Sequence, residues 1–218
     1  ADLLSVGGVE TGFVKLACYS TAAPSFLPPV LKTITTRFPN LSLSMLEGHM
    51  EMIINCLDSG EVDLVFTYER SVDHWHTFHA LFAAPPYALI ATPDPLSQQT
   101  EVTPAQLATR PMDLLDLPFT RDYFTSLFDG MQGAPTVAHS TRSSEMVRAL
   151  VSAGFGFSIL NIRPLEYGEG VAENTAYHAL PIRPAGTAPI FGIATNSLFF
   201  NLFILFIHKP KSFFESFL

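Results

Sequence analysis

The chain has 218 residues, of which 48% are hydrophobic and 15% are charged, a composition that excludes a disordered protein. Its length predicts one or two domains that bury roughly 70% of the unfolded chain's surface without help from disulfides. The chain contains 12 Lys and Arg residues and 20 Asp and Glu residues, which gives a formal charge of −8. This negative charge argues against direct binding to nucleic acid or to an anionic membrane.

The alternation of strand-like and helix-like patterns predicts an α/β chain whose first three strands form a parallel sheet. The elements predicted in the first part are strands over 13–19, 41–46 and 62–68 and helices over 22–38 and 50–57. The first helix carries an apolar stripe and stops before Pro39, while Gly60 follows the second.

Beyond residue 70 the pattern changes to extended segments around Pro85-Pro86, followed by a second set of strands and helices. The elements predicted there are extended segments over 78–82 and 87–91, strands over 112–115, 136–139, 156–160, 176–182 and 189–195, and helices over 120–128 and 144–153. Two lobes without a linker predict that the chain crosses between them in extended strands, near 84–90 and 183–190. Lobe I is then 1–86 with 188–218, and lobe II is 87–187.

The C-terminal region is unusually apolar. Positions 190–207 carry no formal charge, and eight of the 19 phenylalanines lie between Phe191 and Phe217. This length just reaches that of a membrane span. Interruption by Asn196, Ser197 and Asn201 favours a buried strand followed by a Phe-rich packing helix, with Asn196 or Ser197 as N-cap, over a membrane anchor.

Cysteine usage and the N-terminus indicate the compartment. Cys18 and Cys56 belong to no CxxC or zinc pattern and are expected to be small core residues. The first ten residues have neither a basic stretch nor a long apolar stretch, so they do not predict a signal peptide. We therefore expect a reduced, cytoplasmic protein.

Motifs of common enzymes are absent, including GxSxG, the P-loop and HExxH. Gly154-Phe155-Gly156 lies between a helix and a strand, which favours a helix end over a dinucleotide site. His74 and His76 would share one face of a strand and leave a metal pair open, with His79 nearby, although a solvated connection is favoured. We expect no catalytic residue, no cofactor and no metal.

Polar residues follow several predicted strands, where ligands bind to open α/β sheets and helix N-termini present N–H groups. Taken singly, each of these residues is most simply a helix cap. Together they predict a ligand clamp with no evident nucleophile or base. The residues are Ser20, Thr21, Gly48, His49, Thr67 and Tyr68 in lobe I, and Asp116, Arg121, Thr141, Arg142, Ser143 and Asn161 in lobe II.

Four short segments keep a fixed order along lobe I: Phe38-Pro39-Asn40-Leu41, Leu46-Glu47-Gly48, Leu57-Asp58-Ser59-Gly60 and Val62-Asp63-Leu64-Val65. Together with residues 144–156 of lobe II, they resemble the effector-binding domain of LysR-type transcriptional regulators over roughly residues 8–195. The tail departs from this family, whose closing helix carries several charges. Either an altered C-terminus or a more buried helix would explain the difference, and both alternatives stay open.

The resemblance implies a two-lobed, type 2 periplasmic-binding-protein-like α/β fold, with sheets flanked by helices, hinged crossing strands and a small-molecule effector in the cleft. The positions that it assigns to effector contact are Ser20, Thr21, Gly48, His49, Met50, Thr67, Tyr68, Thr141, Arg142 and Ser143. Asp116, Arg121 and Asn161 are added from strand-end geometry alone. The hydroxyls and arginines favour a small carboxylate as effector.

The resemblance also implies partners. Such domains form homodimers or homotetramers, and the exposed edge over 41–46 is a candidate interface. DNA binding is expected only through an N-terminal winged helix-turn-helix outside this sequence, and no membrane partner is expected. A solute-binding protein of a transporter, which has the same fold, is the alternative.

Overall fold

A computed structural model describes residues 4–6, 9–163 and 176–196, with side chains from Gly12 onward. The strands are β1 (Leu4–Val6), β2 (Val9–Tyr19), β3 (Leu41–Gly48), β4 (Leu64–Tyr68), β5 (His76–Ala83), β6 (Tyr87–Ala91), β7 (Met112–Leu115), β8 (Val137–Thr141), β9 (Ser158–Leu160), β10 (Tyr177–Pro181) and β11 (Ile190–Asn196). The helices are α1 (Ala23–Arg37), α2 (Met50–Asp58), α3 (Pro104–Leu107), α4 (Thr120–Ser126) and α5 (Ser144–Ser152). The chain divides into two compact units, 1–83 with 189–218 and 84–188.

The first unit contains one mixed sheet in the strand order β1-β2-β4-β11-β5, and β3 also pairs with β2. The predicted parallel arrangement of the first three long strands is confirmed, since β2 pairs in parallel with both β3 and β4. Strand β11 returns late in the sequence and lies antiparallel between β4 and β5. The carboxyl ends of β2, β3 and β4 therefore lie at one edge of this sheet.

Helix α1 covers this sheet with its apolar stripe. Phe26 is fully buried, and its ring centroid lies 5.0 Å from that of Phe66 and 5.2 Å from that of Phe191. The helix continues through Pro28 and Pro29, although proline removes the backbone donor from a helix interior. Burial of the stripe therefore outweighs the two missing hydrogen bonds.

The second unit contains the antiparallel strands β10-β6-β9 and the parallel pair β7-β8. A bridge between Met112 and Phe157 connects the two sets. Helix α5 packs on β6 and β7 and buries Val147 and Val151 completely. The carboxyl ends of β7 and β8 lie together because the two strands are parallel.

Most predicted elements lie within a few residues of the observed ones, but some short turns were missed. Helix α3 begins with a capping box in which Thr103 and Gln106 satisfy each other's backbone N–H groups. Both cysteines are buried, as expected. The packing helix and the membrane anchor considered for the tail lie outside the described residues. No described helix has both the length and the apolar composition required to cross a membrane.

Candidate functional site

Ser20 and Thr21 lie half-buried in the turn between β2 and α1. The Ser20 N–H donates to the Gly48 carbonyl oxygen at 3.0 Å and so joins the ends of β2 and β3. Ala22 occupies the N-cap position of α1, and no side chain caps the helix. Within the described ranges neither hydroxyl has a hydrogen-bond partner, so both are available to a ligand.

The segment from Gly48 to Met50 forms the tight entry into α2. His49 is exposed, and its Nδ1 accepts a hydrogen bond from the Met52 N–H at 3.3 Å. A Cβ atom on Gly48 would lie 2.7 Å from the Met52 sulfur, so only glycine fits without displacing that side chain. Met50 is buried. Of these three residues, only His49 presents a polar side chain to solvent.

Thr67 and Tyr68 end β4, but their side chains are built into the unit. Thr67 is fully buried, and its Oγ1 lies 2.8 Å from Ser71 Oγ, which donates in turn to the Tyr68 carbonyl oxygen at 2.7 Å. The Tyr68 ring packs on Tyr19 and on Phe191, with centroid distances of 5.8 and 5.2 Å. These contacts give both residues a structural role at the strand end.

In the second unit, Asp116 follows β7 and forms an ion pair with Arg121. Arg121 Nε lies 2.8 Å from Oδ1 and Nη2 lies 2.6 Å from Oδ2, while Ser140 Oγ donates to Oδ2 at 2.9 Å. The hydrogen bonds from Arg121, followed by the one from Ser140, lower the pKa of Asp116 to about 2. The same carboxylate raises the pKa of Arg121. Arg121 is therefore a paired cation.

Residues 141–143 lead from β8 into α5. Ser143 is the N-cap, and its Oγ accepts from the Met146 N–H at 3.2 Å, while Thr141 Oγ1 accepts from the Ser143 N–H at 3.2 Å. Arg142 is exposed and has no ion-pair partner in the part of the chain that the structure describes, although its charge contributes to the low pKa of Asp116. The guanidinium of Arg142 is thus available to pair with an anion.

Asn161 follows β9 and uses its amide internally. Its Nδ2 donates to the Ala84 carbonyl oxygen at 2.8 Å, across 77 residues of sequence. This hydrogen bond fixes the segment that enters β6. The strand-end residues thus divide into those that hold the backbone and those whose polar side chains make no hydrogen bond or ion pair within the described ranges, which are Ser20, Thr21 and Arg142.

One buried pair escaped the sequence analysis. Asp113 is completely buried in β7, and its Oδ1 accepts from His139 Nδ1 at 2.8 Å in the neighbouring β8. The buried Oδ2 has no hydrogen-bond partner. A single carboxylate within the otherwise apolar strand Met112–Leu115 was the available signal, because a buried charge requires a partner.

The histidines around Trp75 do not form the metal pair that the sequence analysis left open. His74 lies before β5, which begins at His76, so the two do not share a strand face. The favoured interpretation, a solvated connection running into a strand, matches the exposed residues 73–75 that lead into β5. His76 itself is buried, and its Nε2 lies 2.8 Å from Asp58 Oδ1. Trp75 Nε1 donates to the same oxygen at 3.3 Å. Within the described ranges, no three His, Cys, Asp or Glu side chains group as a metal site.

Comparison with known proteins places this geometry in a family. The profile of the LysR substrate binding domain matches residues 7–166. The chain belongs to the LysR substrate-binding-domain family. It is 28% identical over 158 residues to the HTH-type transcriptional regulator CysB of Haemophilus influenzae, an alignment that covers 68% of this chain and 47% of the relative. This LysR-family chain spans about half the length of the curated relatives that it matches.

Solved structures give the fold of the LysR-family chain. HinK, a LysR family regulator from Pseudomonas aeruginosa, superposes with a TM-score of 0.75 at 29% identity, covering 86% of this chain and 64% of that one. The C-terminal domain of a probable LysR family regulator from Rhodococcus sp. RHA1 also gives 0.75, at 26% identity, with 85% and 91% covered. The predicted family and type 2 periplasmic-binding-protein-like α/β fold are confirmed.

Proposed function

We propose that this domain senses a small molecule and regulates DNA binding by the longer LysR-type protein to which it belongs. The family match carries this proposal, and the relatives' description as HTH-type transcriptional regulators favours it over a transporter solute-binding protein. Effector binding would shift the population of domain conformations and so alter how attached helix-turn-helix domains meet DNA in the cytoplasm. No catalytic step is part of the proposal.

The proposed effector contacts are the strand-end residues with unused polar groups. Ser20 and Thr21 offer hydroxyls beside the uncapped start of α1, and Arg142 offers a guanidinium beside the start of α5. Arginine donors and helix N-termini both favour anions, so a small carboxylate is the proposed effector class. Gly48, His49, Met50, Thr67, Tyr68, Asp116, Arg121, Thr141, Ser143 and Asn161 are proposed to shape or hold this site.

We further propose that the domain self-associates as a homodimer or homotetramer through the edge strand β3. Among the described strands, β3 pairs only with β2, which leaves its other edge unpaired. Met45 on this strand is 52% exposed. An unpaired edge carrying apolar side chains is a surface that a second chain can cover.

A thermal-shift screen of this chain against a carboxylate-rich metabolite collection tests the sensing function. A ligand at roughly 100 times its Kd adds about 2.7 kcal/mol to the free energy of unfolding, which raises the melting temperature by several degrees. Absence of any stabilising ligand for folded protein, over a wide concentration range, would contradict the sensing proposal.

Matched substitutions then test the proposed contacts. Thr21→Ala and Arg142→Ala should each weaken binding of the identified ligand by about tenfold, because each removes a polar contact. Thr35→Ala and Arg37→Ala, at the far end of α1, serve as controls and should bind as the parent does. If Thr21→Ala and Arg142→Ala both bind with unchanged affinity, the strand-end assignment is wrong.

A further inference from the structure

Arg148, in the middle of α5, is an unusually buried arginine. Its side chain is only 12% exposed, and Nη1 donates to Glu145 Oε1 at 2.6 Å, although Glu145 itself is 77% exposed. The Arg148 Nε is buried and has no hydrogen-bond partner. A buried donor left without an acceptor is unfavourable, and buried arginines are normally fully paired. One donor of this guanidinium is therefore unused.

A second arginine converges on the same phenol as Arg148. The guanidinium carbon of Arg163 lies 5.5 Å from the ring centroid of Tyr87. Tyr87 is buried, its hydroxyl donates its one proton to the Ile162 carbonyl oxygen at 2.9 Å, and the Arg148 side chain lies against the same hydroxyl oxygen as a donor. Burial raises the pKa of Tyr87 to about 12, while Arg148 and Arg163 both lie close enough to lower it.

In the part of the chain that the structure describes, the carboxylates around Arg148 and Arg163 do not balance the two cations. Elsewhere in the second unit, Arg110 pairs with Asp94 and Arg121 pairs with Asp116. Arg148 has only the exposed Glu145. Within the described ranges, Arg163 has no carboxylate at ion-pair distance. Among the described residues, two cations therefore share one solvated carboxylate, which is a local excess of positive charge in a chain with a formal charge of −8.

We propose that Arg148 and Arg163, which both lie against Tyr87, bind a small oxyanion such as a carboxylate, sulfate or phosphate group. The planar donor fork of arginine matches the oxygens of such groups, and burial strengthens the charge-assisted hydrogen bonds. Glu145, one turn before Arg148, occupies Nη1 when no anion is bound and so acts as an internal competitor. This site does not depend on the effector contacts proposed at Ser20, Thr21 and Arg142.

Titration of the 218-residue chain with sodium sulfate, phosphate and acetate, at constant ionic strength against chloride, tests this site. Calorimetry should show saturable binding of at least one oxyanion, and comparison of the three separates inorganic anions from carboxylates. Arg148→Met and Arg163→Gln should each weaken that binding by about tenfold. Glu145→Gln should strengthen it about two- to fivefold, because an exposed competing pair is removed. Arg183→Gln, an exposed arginine of the same unit, is the control.

The substitutions also distinguish an anion held by Arg148 and Arg163 from one held at the strand ends. Arg163→Gln and Glu145→Gln change less buried side chains, so they test the site even if Arg148→Met fails to fold. Equal stabilisation by chloride, or unchanged affinity in both Arg163→Gln and Glu145→Gln, would overturn the proposal. Binding that is lost in Thr21→Ala or Arg142→Ala would move the anion to the strand-end residues and overturn it as well.

Discussion

Arg121 donates two hydrogen bonds to Asp116, with its Nε 2.8 Å from Oδ1 and its Nη2 2.6 Å from Oδ2. This geometry occupies the donor fork of Arg121 and makes the two residues a structural ion pair. Arg142 carries no such partner among the described residues. The positive charge available to an anion near these strand ends therefore belongs to Arg142.

The depressed pKa of Asp116 predicts a pH dependence of stability. Because the folded pKa of about 2 lies below the ordinary value of 3.8, the pair's contribution is complete well above that ordinary value. It is lost as the pH falls through about 4 towards 2. Asp116 is 34% exposed, so solvent screening keeps the effect small.

Urea unfolding across this pH range measures the contribution of Asp116. Asp116→Asn should lose less stability on acidification than the parent, since it has no carboxylate to protonate. Asp129→Asn, at an exposed position, is the control and should follow the parent. A parent-like acid profile in Asp116→Asn would show that the ion pair contributes nothing to folding.

Because Asp113 is buried, we expect its hydrogen bond with His139 to contribute more to the free energy of unfolding than its negative charge does. His139→Ala should lower the free energy of unfolding by about 2–4 kcal/mol at neutral pH, because it leaves a buried carboxylate without a donor. Adding Asp113→Asn to that variant should restore part of the loss, since the amide carries no charge. His178→Ala, on the exposed side of β10, is the control in the same urea experiment. A double variant less stable than His139→Ala would contradict this account.

Two glycines are predicted to be irreplaceable because backbone atoms lie where a Cβ would be. At Gly192, in β11, that Cβ would lie 2.2 Å from the His79 carbonyl oxygen, and at Gly156 it would lie 2.4 Å from the Pro111 carbonyl oxygen. Each alanine substitution should destabilise by about 2–3 kcal/mol, because strand pairing must shift to relieve the clash. Gly133 has nothing within 4 Å, so Gly133→Ala should change stability by less than about 0.5 kcal/mol. Equal melting temperatures for the three variants would refute this prediction.

The fold was readable from the sequence because its signals are local. The apolar stripe before Pro39 and the alternation over 41–46 each depend on neighbouring residues, and both elements appear where expected. Helix α3 was missed because its four residues are too few to show a helical period.

The roles of the strand-end side chains were less readable because their partners are distant in sequence. Asn161 donates to a carbonyl 77 residues away, and His76 reaches Asp58 from 18 residues away. Strand-end position alone cannot separate a side chain that holds the backbone, such as Asn161, from one that stays available, such as Thr21. Whether a strand-end side chain finds a backbone partner depends on which strands pair, and strand pairing cannot be read from the residues next to it in sequence.

The edge of β3 provides the test of self-association. If a second chain covers this edge, Met45→Glu places a carboxylate in an apolar contact, where burying an unpaired charge is strongly unfavourable. Light scattering coupled to size-exclusion chromatography should show the parent as a dimer or tetramer and Met45→Glu with a dissociation constant at least about tenfold higher. Met131→Glu alters a methionine of the second unit that is 38% exposed, and it should keep the parent's mass. An unchanged mass in Met45→Glu would place the interface elsewhere, because a carboxylate at the centre of a covered strand edge would not be tolerated.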